Sequence, residues 1–98
     1  MKIDKNLNGT TLVLALEGRL DTTTAPELEK ELKDSMDAAS ALTLDFGKLD
    51  YISSAGLRVL LSAHKAMSKK GGMKVTNVNE IVKEVFDVTG FADILNIE

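Results

Sequence analysis

Asp50-Tyr51-Ile52-Ser53-Ser54-Ala55-Gly56-Leu57-Arg58 is the stretch that decides the fold, because an apolar strand pattern ends in it and a long helical pattern begins. Two adjacent serines stand at the change. A hydroxyl at such a point lies on the surface, beside backbone N–H groups without helical partners and the positive end of the helix dipole. The fold therefore accepts a phosphate there, although the added charge alters what the surface can bind.

Short apolar runs separated by turn residues predict the strands of a sheet. Asn8-Gly9 lies between the first two runs and is a strong signal for a β-hairpin turn. Residues 18–21 and 47–50, which follow the next two runs, are predicted to be connections. The predicted strands are residues 3–7, 11–16, 41–46 and 73–78, with a further short strand within residues 94–97.

Apolar residues at helical spacing follow the second, third and fourth predicted strands. Thr24 and Glu27 have the spacing of a capping box at the start of the first helix. Asn77 and Glu80 repeat that spacing before the third helix. The second helix is predicted to run from the serines to residue 70.

The predicted order is β-β-α-β-α-β-α, with a further β at the end. Strands that alternate with helices pair in parallel through right-handed crossovers, and the opening hairpin adds one antiparallel strand. Gly71, in the left-handed conformation, and Gly90 are predicted to end the second and third helices. The sequence thus predicts a single α/β domain over residues 1–98, with a mixed β-sheet and three or four helices.

Three polar loops are expected to gather at one edge of this sheet. Residues 21–24, 51–55 and 77–79 each follow a parallel strand and precede a helix, and loops in that position meet at the carboxyl ends of the strands. The edge would then combine hydroxyl and amide side chains with the positive ends of helix dipoles. We expect the functional surface there.

Composition narrows the class of function. The 98 residues contain no cysteine, which excludes disulfides and thiolate metal sites, and no apolar run approaches the ~18 residues of a membrane span. The first residues lack the apolar run of a signal peptide, so a cytoplasmic location is expected. The net charge of −3, with no basic stripe and four aromatic residues, disfavours nucleic acid. Protein partners are the better expectation, for a monomer or a weak dimer.

The two serines allow two interpretations. Serine is a common helix N-cap worth about 1 kcal/mol, but one serine is enough for a cap. Gly56 lies in the first helical turn, where glycine costs up to ~1 kcal/mol relative to alanine, and a small residue there would leave room for an approaching molecule. These two features favour a functional site, while the cap remains the alternative.

No residue pattern predicts catalysis. Asp21 and Asp50 are interpreted as turn residues, and Asp45 lies on a strand. His64 falls on the apolar stripe of the second helix, where a neutral, partly buried packing role is expected. We therefore predict no catalytic residue, no metal ligand and no cofactor.

Residues 51–57 resemble the serine motif of STAS domains in the class of anti-sigma factor antagonists. In that motif an apolar pair and a small polar residue precede the phosphorylated serine, which corresponds to Ser54, and a small residue and Gly-Leu follow it. Gly18-Arg19-Leu20-Asp21 is similar to the family's second signature, and residues 71–72 and 85–91 resemble its C-terminal portion. Ser53 takes a place that the family often gives to Asp. The resemblance covers essentially the whole chain.

The resemblance implies a partner switch. The dephosphorylated chain would bind an anti-sigma factor that is also a serine kinase, which frees a sigma factor for transcription. The kinase would phosphorylate Ser54 with ATP and Mg²⁺, and the phosphorylated form would dissociate until a metal-dependent Ser/Thr phosphatase restores it. The expected partner surface is Asp21, Thr22, Thr23, Thr24, Ser53, Ser54, Ala55, Gly56 and Arg58.

Several alternatives stay open. Thr22 to Thr24 could serve only as caps, and Arg58 is either a partner contact or an ordinary exposed helix residue. The chain could instead be a STAS scaffold or transporter-accessory subunit that is not phosphorylated, although the serine argues against this. It could also bind a small molecule such as a nucleotide at the polar edge, but nothing in the sequence supplies a base or ribose pocket.

Overall fold

The computed structural model describes all 98 residues, which form one five-stranded sheet and three α-helices. The predicted mixed α/β fold is confirmed, including the short last strand. Single 3₁₀ turns follow α1 and α3, at Met36–Ala38 and Phe91–Asp93. The strands are β1 (Lys2–Asn8), β2 (Thr11–Leu20), β3 (Ala41–Ile52), β4 (Met73–Thr76) and β5 (Asn96–Ile97), and the helices are α1 (Ala25–Ser35), α2 (Ser54–Met67) and α3 (Glu80–Thr89).

The strands lie in chain order across the sheet, β1-β2-β3-β4-β5. β1 is antiparallel to β2, and the remaining neighbours are parallel. Because every parallel connection steps in the same direction, right-handed crossovers bring all three helices to one face of the sheet. The burial pattern agrees, since alternate residues of β2 and β3 are buried while those between them are only half-buried.

One apolar core fills the space between the helices and the sheet. It contains 23 buried residues, drawn from the strands, the three helices and the chain segments between them. Phe46 of β3 and Phe86 of α3 are both fully buried in it, with their ring centroids 6.4 Å apart.

β2 and β3 are longer than predicted, so the prediction of connections at residues 18–21 and 47–50 is wrong for all but Asp21. The two strands stay paired as far as Leu20 and Ile52, with register irregularities between Ala15 and Glu17 and between Gly18 and Arg19. Each irregularity places an extra residue on β3, as in a β-bulge. The glycines and aspartate that suggested turns thus lie at these bulges.

Three helix-end predictions are also wrong. α2 stops at Met67, and Gly72 (φ +91°), not Gly71, has the left-handed conformation. Gly71 is needed for another reason, because a Cβ there would collide with the carbonyl oxygen of Ser40. The cap of α3 is Asn79, since β4 ends at Thr76 and the helix starts later than the Asn77 spacing implied. The prediction that Gly90 ends α3 is confirmed.

Candidate functional site

The loop after β2 and the loop after β3 lie side by side. Leu20 pairs with Ile52 at the ends of the two strands, and the backbone N–H of Ser53 donates to the carbonyl of Leu20 at 2.9 Å. The start of α1 and the start of α2 therefore share one edge. The structure brings the predicted residues 21–24 and 53–55 together at this place.

The third predicted loop, residues 77–79, is set back from that edge. β4 pairs with β3 only up to Asp45, and β3 then continues for roughly 20 Å to Ile52. Asn77 donates to the Asp45 carboxylate at 3.0 Å, and Asn79 donates to the carbonyl of Leu49 at 2.8 Å. The expectation that all three loops meet is wrong, because the strand β4 is so much shorter than β3.

Asp21 organises the loop before α1. One oxygen of its carboxylate accepts hydrogen bonds from the hydroxyl of Thr23 at 2.8 Å, the N–H of Thr23 at 3.0 Å and the N–H of Thr24 at 3.2 Å. These bonds hold the pKa of Asp21 below its ordinary value, and the bond from the Thr23 hydroxyl has the largest effect. Asp21 is thus ionised at neutral pH and holds the loop in a fixed shape.

Thr24 does not cap α1 as the capping-box prediction required. Its backbone is already helical and its side chain makes no cap hydrogen bond. The hydroxyl turns back instead, accepting from the N–H of Asp21 and donating to the carbonyl of Arg19, both at 2.8 Å. The capping-box prediction is therefore wrong for Thr24, and Thr22 is exposed.

Arg19 ties this loop to β3. Its guanidinium lies 4.5 Å from the centroid of the Tyr51 ring, within the range of a cation–π interaction. Its Nε lies 3.8 Å from the Asp21 carboxylate. This arrangement was missed from the sequence, although Arg19 and Tyr51 are both quoted in the two signatures. It becomes visible only when the bulged register places the two residues opposite each other.

Ser53 and Ser54 occupy different environments. Ser53 has the extended backbone of an N-cap (φ −101°, ψ 175°), but its hydroxyl makes no bond to the helix. That hydroxyl is shielded from solvent and has no hydrogen-bond partner. Ser54 is the first residue of the 14-residue helix α2, and it is exposed. The cap interpretation is therefore wrong for the Ser53 side chain, and the helix start lacks a side-chain cap.

Gly56 has a packing role. It is buried, and a Cβ there would lie 2.7 Å from Cγ of Leu20 and 2.9 Å from Cγ1 of Ile52. The expectation that this small residue leaves room for an approaching molecule is wrong, because core side chains fill the space. Gly56 lets α2 lie close to the sheet.

A shallow depression of about 210 Å³ lies between the starts of α1 and α2. Arg58 is its only cation. It is exposed and takes part in none of the five ion pairs of the structure. The depression is lined by Thr22, Ala25, Pro26, Glu29, Ala55, Arg58 and Val59.

The structure does not gather the acidic residues into a site. Asp45 lies on β3, where hydrogen bonds from Asn77 and from the N–H of Gly47 lower the pKa of its carboxyl. Asp50 is exposed on the same strand and not in a turn. His64 is half-buried, as predicted, with its Nδ1 shielded and unpaired. No three ligating side chains come together in a way that could hold a metal ion.

None of the three α-helices combines the length and apolar composition that crossing a membrane takes. The longest, α2, has 14 residues and begins at the candidate site.

Comparison with known proteins identifies the class. The model of the STAS domain family matches residues 2–98, and the chain therefore belongs to the STAS family. It is 35% identical over 99 residues to BtrV of Bordetella bronchiseptica, whose name marks it as a candidate anti-sigma factor antagonist; the match covers 99% of this chain and 85% of BtrV. It is 29% identical over 98 residues to the anti-sigma-B factor antagonist of Bacillus subtilis, covering 99% of this chain and 90% of that protein.

Solved structures share the fold. The anti-sigma factor antagonist from Mycobacterium paratuberculosis superposes with a TM-score of 0.89 at 22% identity, over 98% of this chain and 83% of its own. The phosphorylated form of the Bacillus cell fate determinant SpoIIAA superposes with a TM-score of 0.76 at 17% identity, over 99% and 91%. These likenesses establish the architecture, and the resemblance found in the sequence is confirmed at the level of the family.

Proposed function

We propose that this chain is an anti-sigma factor antagonist that acts as a partner switch, controlled by phosphorylation of Ser54. The observation that carries the proposal is the open start of α2: Ser54 is exposed at its first residue, and no side chain caps the helix. Relatives named as anti-sigma factor antagonists support the general function. In this scheme the chain works in the cytoplasm as a ligand and a substrate, and it is not an enzyme.

The covalent step is a simple phosphoryl transfer. An anti-sigma factor serine kinase transfers the γ-phosphoryl group of Mg²⁺-bound ATP to Oγ of Ser54, and ADP and the hydroxyl proton leave. A metal-dependent Ser/Thr phosphatase reverses the state by hydrolysis, which returns serine and inorganic phosphate. The exposed position of Ser54 suits both reactions, because each enzyme must bring the hydroxyl into its own active site.

The fold tolerates the modified serine. Phosphoserine carries roughly −1.5 to −2 charges, and negative charge near a helix N-terminus is stabilising by about 0.3–1 kcal/mol. The N–H groups at the start of α2 receive no side-chain cap, so they remain free to meet the phosphate. Phosphorylation therefore acts on the interface, where a dianion must lose its hydration against a partner surface shaped for a neutral serine.

The partner surface consists of the fixed loop before α1 and the outer side of the first turns of α2. The loop's shape is set by Asp21, which keeps Thr22 and Thr23 exposed. A rigid, polar edge of this kind presents hydrogen-bond donors and acceptors without an ordering cost. The proposed contacts are Asp21, Thr22, Thr23, Thr24, Ser53, Ser54, Ala55 and Arg58.

Phosphorylation by the host's own anti-sigma factor kinase tests the proposal. Incubation with that kinase and ATP, followed by mass spectrometry of peptides, should place one phosphoryl group on Ser54. The Ser54→Ala variant should lose it and still bind the kinase, whereas Ser62→Ala, at an exposed serine of the same helix, should behave as wild type. Phosphate on another residue, or a chain that neither binds the kinase nor is modified, would contradict the proposal and favour a scaffold or small-molecule role.

A further inference from the structure

The two arginines of the chain lie near the candidate site in opposite states. Arg19 is engaged on both sides, by the ring of Tyr51 and by the carboxylate of Asp21. Arg58 is exposed and has no ion-pair partner. The guanidinium of Arg58 is therefore available to a new anionic partner beside the proposed phosphorylation site.

Arg58 stands one helical turn after Ser54. Residues four apart on a helix have their Cβ atoms about 5–6 Å apart on one face, and an acid placed N-terminal to a base is the favourable order. Both side chains point to solvent, since both residues are exposed. Phosphoserine at 54 would thus meet Arg58 in the geometry that stabilises ion pairs along a helix.

No other charge in the depression competes for Arg58. The acidic residue across it is Glu29 of α1, whose carboxylate lies 3.6 Å from the ammonium of Lys33 and not within pairing distance of Arg58. Phosphate is also the better partner, because a planar guanidinium can donate two parallel hydrogen bonds to phosphate oxygens.

We propose, resting on the function proposed above, that Arg58 binds the phosphate of phosphorylated Ser54 and is thereby withdrawn from the partner surface. In the unmodified protein, Arg58 offers a free cation at the edge of the depression, which suits an acidic group of the partner. In the modified protein, that cation is paired within α2. Phosphorylation then weakens docking in two ways, by adding an anion and by removing a contact.

The test uses the whole chain with phosphoserine installed at position 54 during translation, so it needs no kinase. The second ionisation of free phosphoserine has a pKa of about 6, and ³¹P NMR titration measures it. We expect the pKa to rise by about 0.15–0.4 in the Arg58→Gln variant, the equivalent of one helical ion pair. Arg58→Lys should fall between the two, and Lys65→Gln, at another exposed cation of α2, should match the parent.

A second measurement follows Arg58 directly. Its side-chain Nε–H resonance should shift and exchange more slowly with water in the phosphorylated chain than in the unmodified chain. Identical pKa values in the parent and in Arg58→Gln, with an unmoved Nε–H resonance, would overturn the pairing. Failure of the kinase to modify Ser54 would overturn the proposed function alone, because the installed phosphoserine reports on Arg58 in either case.

Discussion

The starts of α2 and α3 have the same backbone arrangement but differ in their side-chain hydrogen bonds. Each follows a parallel strand, and each has an N-cap residue in extended conformation, Ser53 and Asn79. Asn79 accepts from the N–H of Val82 at 2.8 Å and donates to the carbonyl of Leu49 at 2.8 Å. The hydroxyl of Ser53 makes neither kind of bond. The start of α3 is satisfied by its own chain, and the start of α2 is left open.

This difference assigns the two helix starts different roles: the start of α3 contributes to stability, and the start of α2 is available for binding. A capped start fixes a helix and leaves little for a ligand to do. An uncapped start keeps N–H groups and a positive dipole end available to an incoming anion. The open start coincides with the exposed Ser54 and with Arg58, which has no ion-pair partner, at the place where the proposed switch acts.

The largest change in stability is expected at Gly56, where the start of α2 packs against the core. Gly56→Ala would place a methyl group against Leu20 and Ile52. Such overpacking costs about 1–3 kcal/mol, and the higher helix propensity of alanine returns up to about 1 kcal/mol. The free energy of unfolding, measured by urea denaturation, should therefore fall by about 1–2 kcal/mol.

A double-mutant cycle checks the cause. Leu20→Ala alone leaves a cavity, but it also removes the atoms nearest to the new methyl group. The double variant should lose less stability than the two single losses together. Strict additivity would mean that Gly56 matters for some reason other than its contact with Leu20.

The next change in stability is expected at the capped start of α3. Asn79→Ala removes the cap of α3 and the bond to the carbonyl of Leu49, so urea denaturation should show a loss of about 1–2 kcal/mol. Asn79→Ser keeps a capping oxygen for the N–H of Val82 and lacks the amide that donates to Leu49, so its loss should be smaller. Equal losses in both variants would show that the bond to Leu49, and not the cap, holds this helix start.

Residues of the two helix starts also show how far the sequence could predict the structure. The helix after Ser53 and the exposure of Ser54 follow from a local pattern, and both were predicted. The cap at Asn79 was assigned to Asn77, because its place depends on where β4 stops, and strand length is decided by pairing with β3. The shielded, unpaired state of the Ser53 hydroxyl depends on tertiary structure, so the sequence could not predict it.

The long strands β2 and β3 were missed for a related reason. Buried residues of β3 occur at every second position up to Phe46 and then at every third, at Leu49 and Ile52. A bulge breaks the alternation that identifies a strand, and Gly47 and Asp50 then look like turn residues. Only the partner strand shows that pairing continues. The bulges carry Tyr51 to its place opposite Arg19, so this error hid part of the candidate site.

Phosphate at the open start should produce a smaller effect of opposite sign. Phosphoserine installed at 54 should raise the thermal unfolding midpoint slightly, in line with the 0.3–1 kcal/mol of an anion at a helix N-terminus. Phosphoserine installed at Ser62, in the interior of the same helix, should give a smaller gain, because it can pair with Arg58 or Lys65 but lies away from the positive end of the dipole. A large drop in the midpoint for the Ser54 form would contradict the proposal, since the switch would then act by unfolding the domain.

The smallest effect is expected at Ser53 itself. Ser53→Ala removes a shielded hydroxyl that has no partner, so no hydrogen bond is lost and the cost of burying an unpaired polar group disappears. Stability in urea should therefore not fall, and any gain should be no more than about 0.5–1 kcal/mol. Ser and Asn are equally good caps by type, and the contrast with Asn79→Ala therefore measures what the two hydrogen bonds of the Asn79 side chain contribute. A loss at Ser53 as large as that at Asn79 would mean that the hydroxyl caps α2 in solution, and the two helix starts would then be alike.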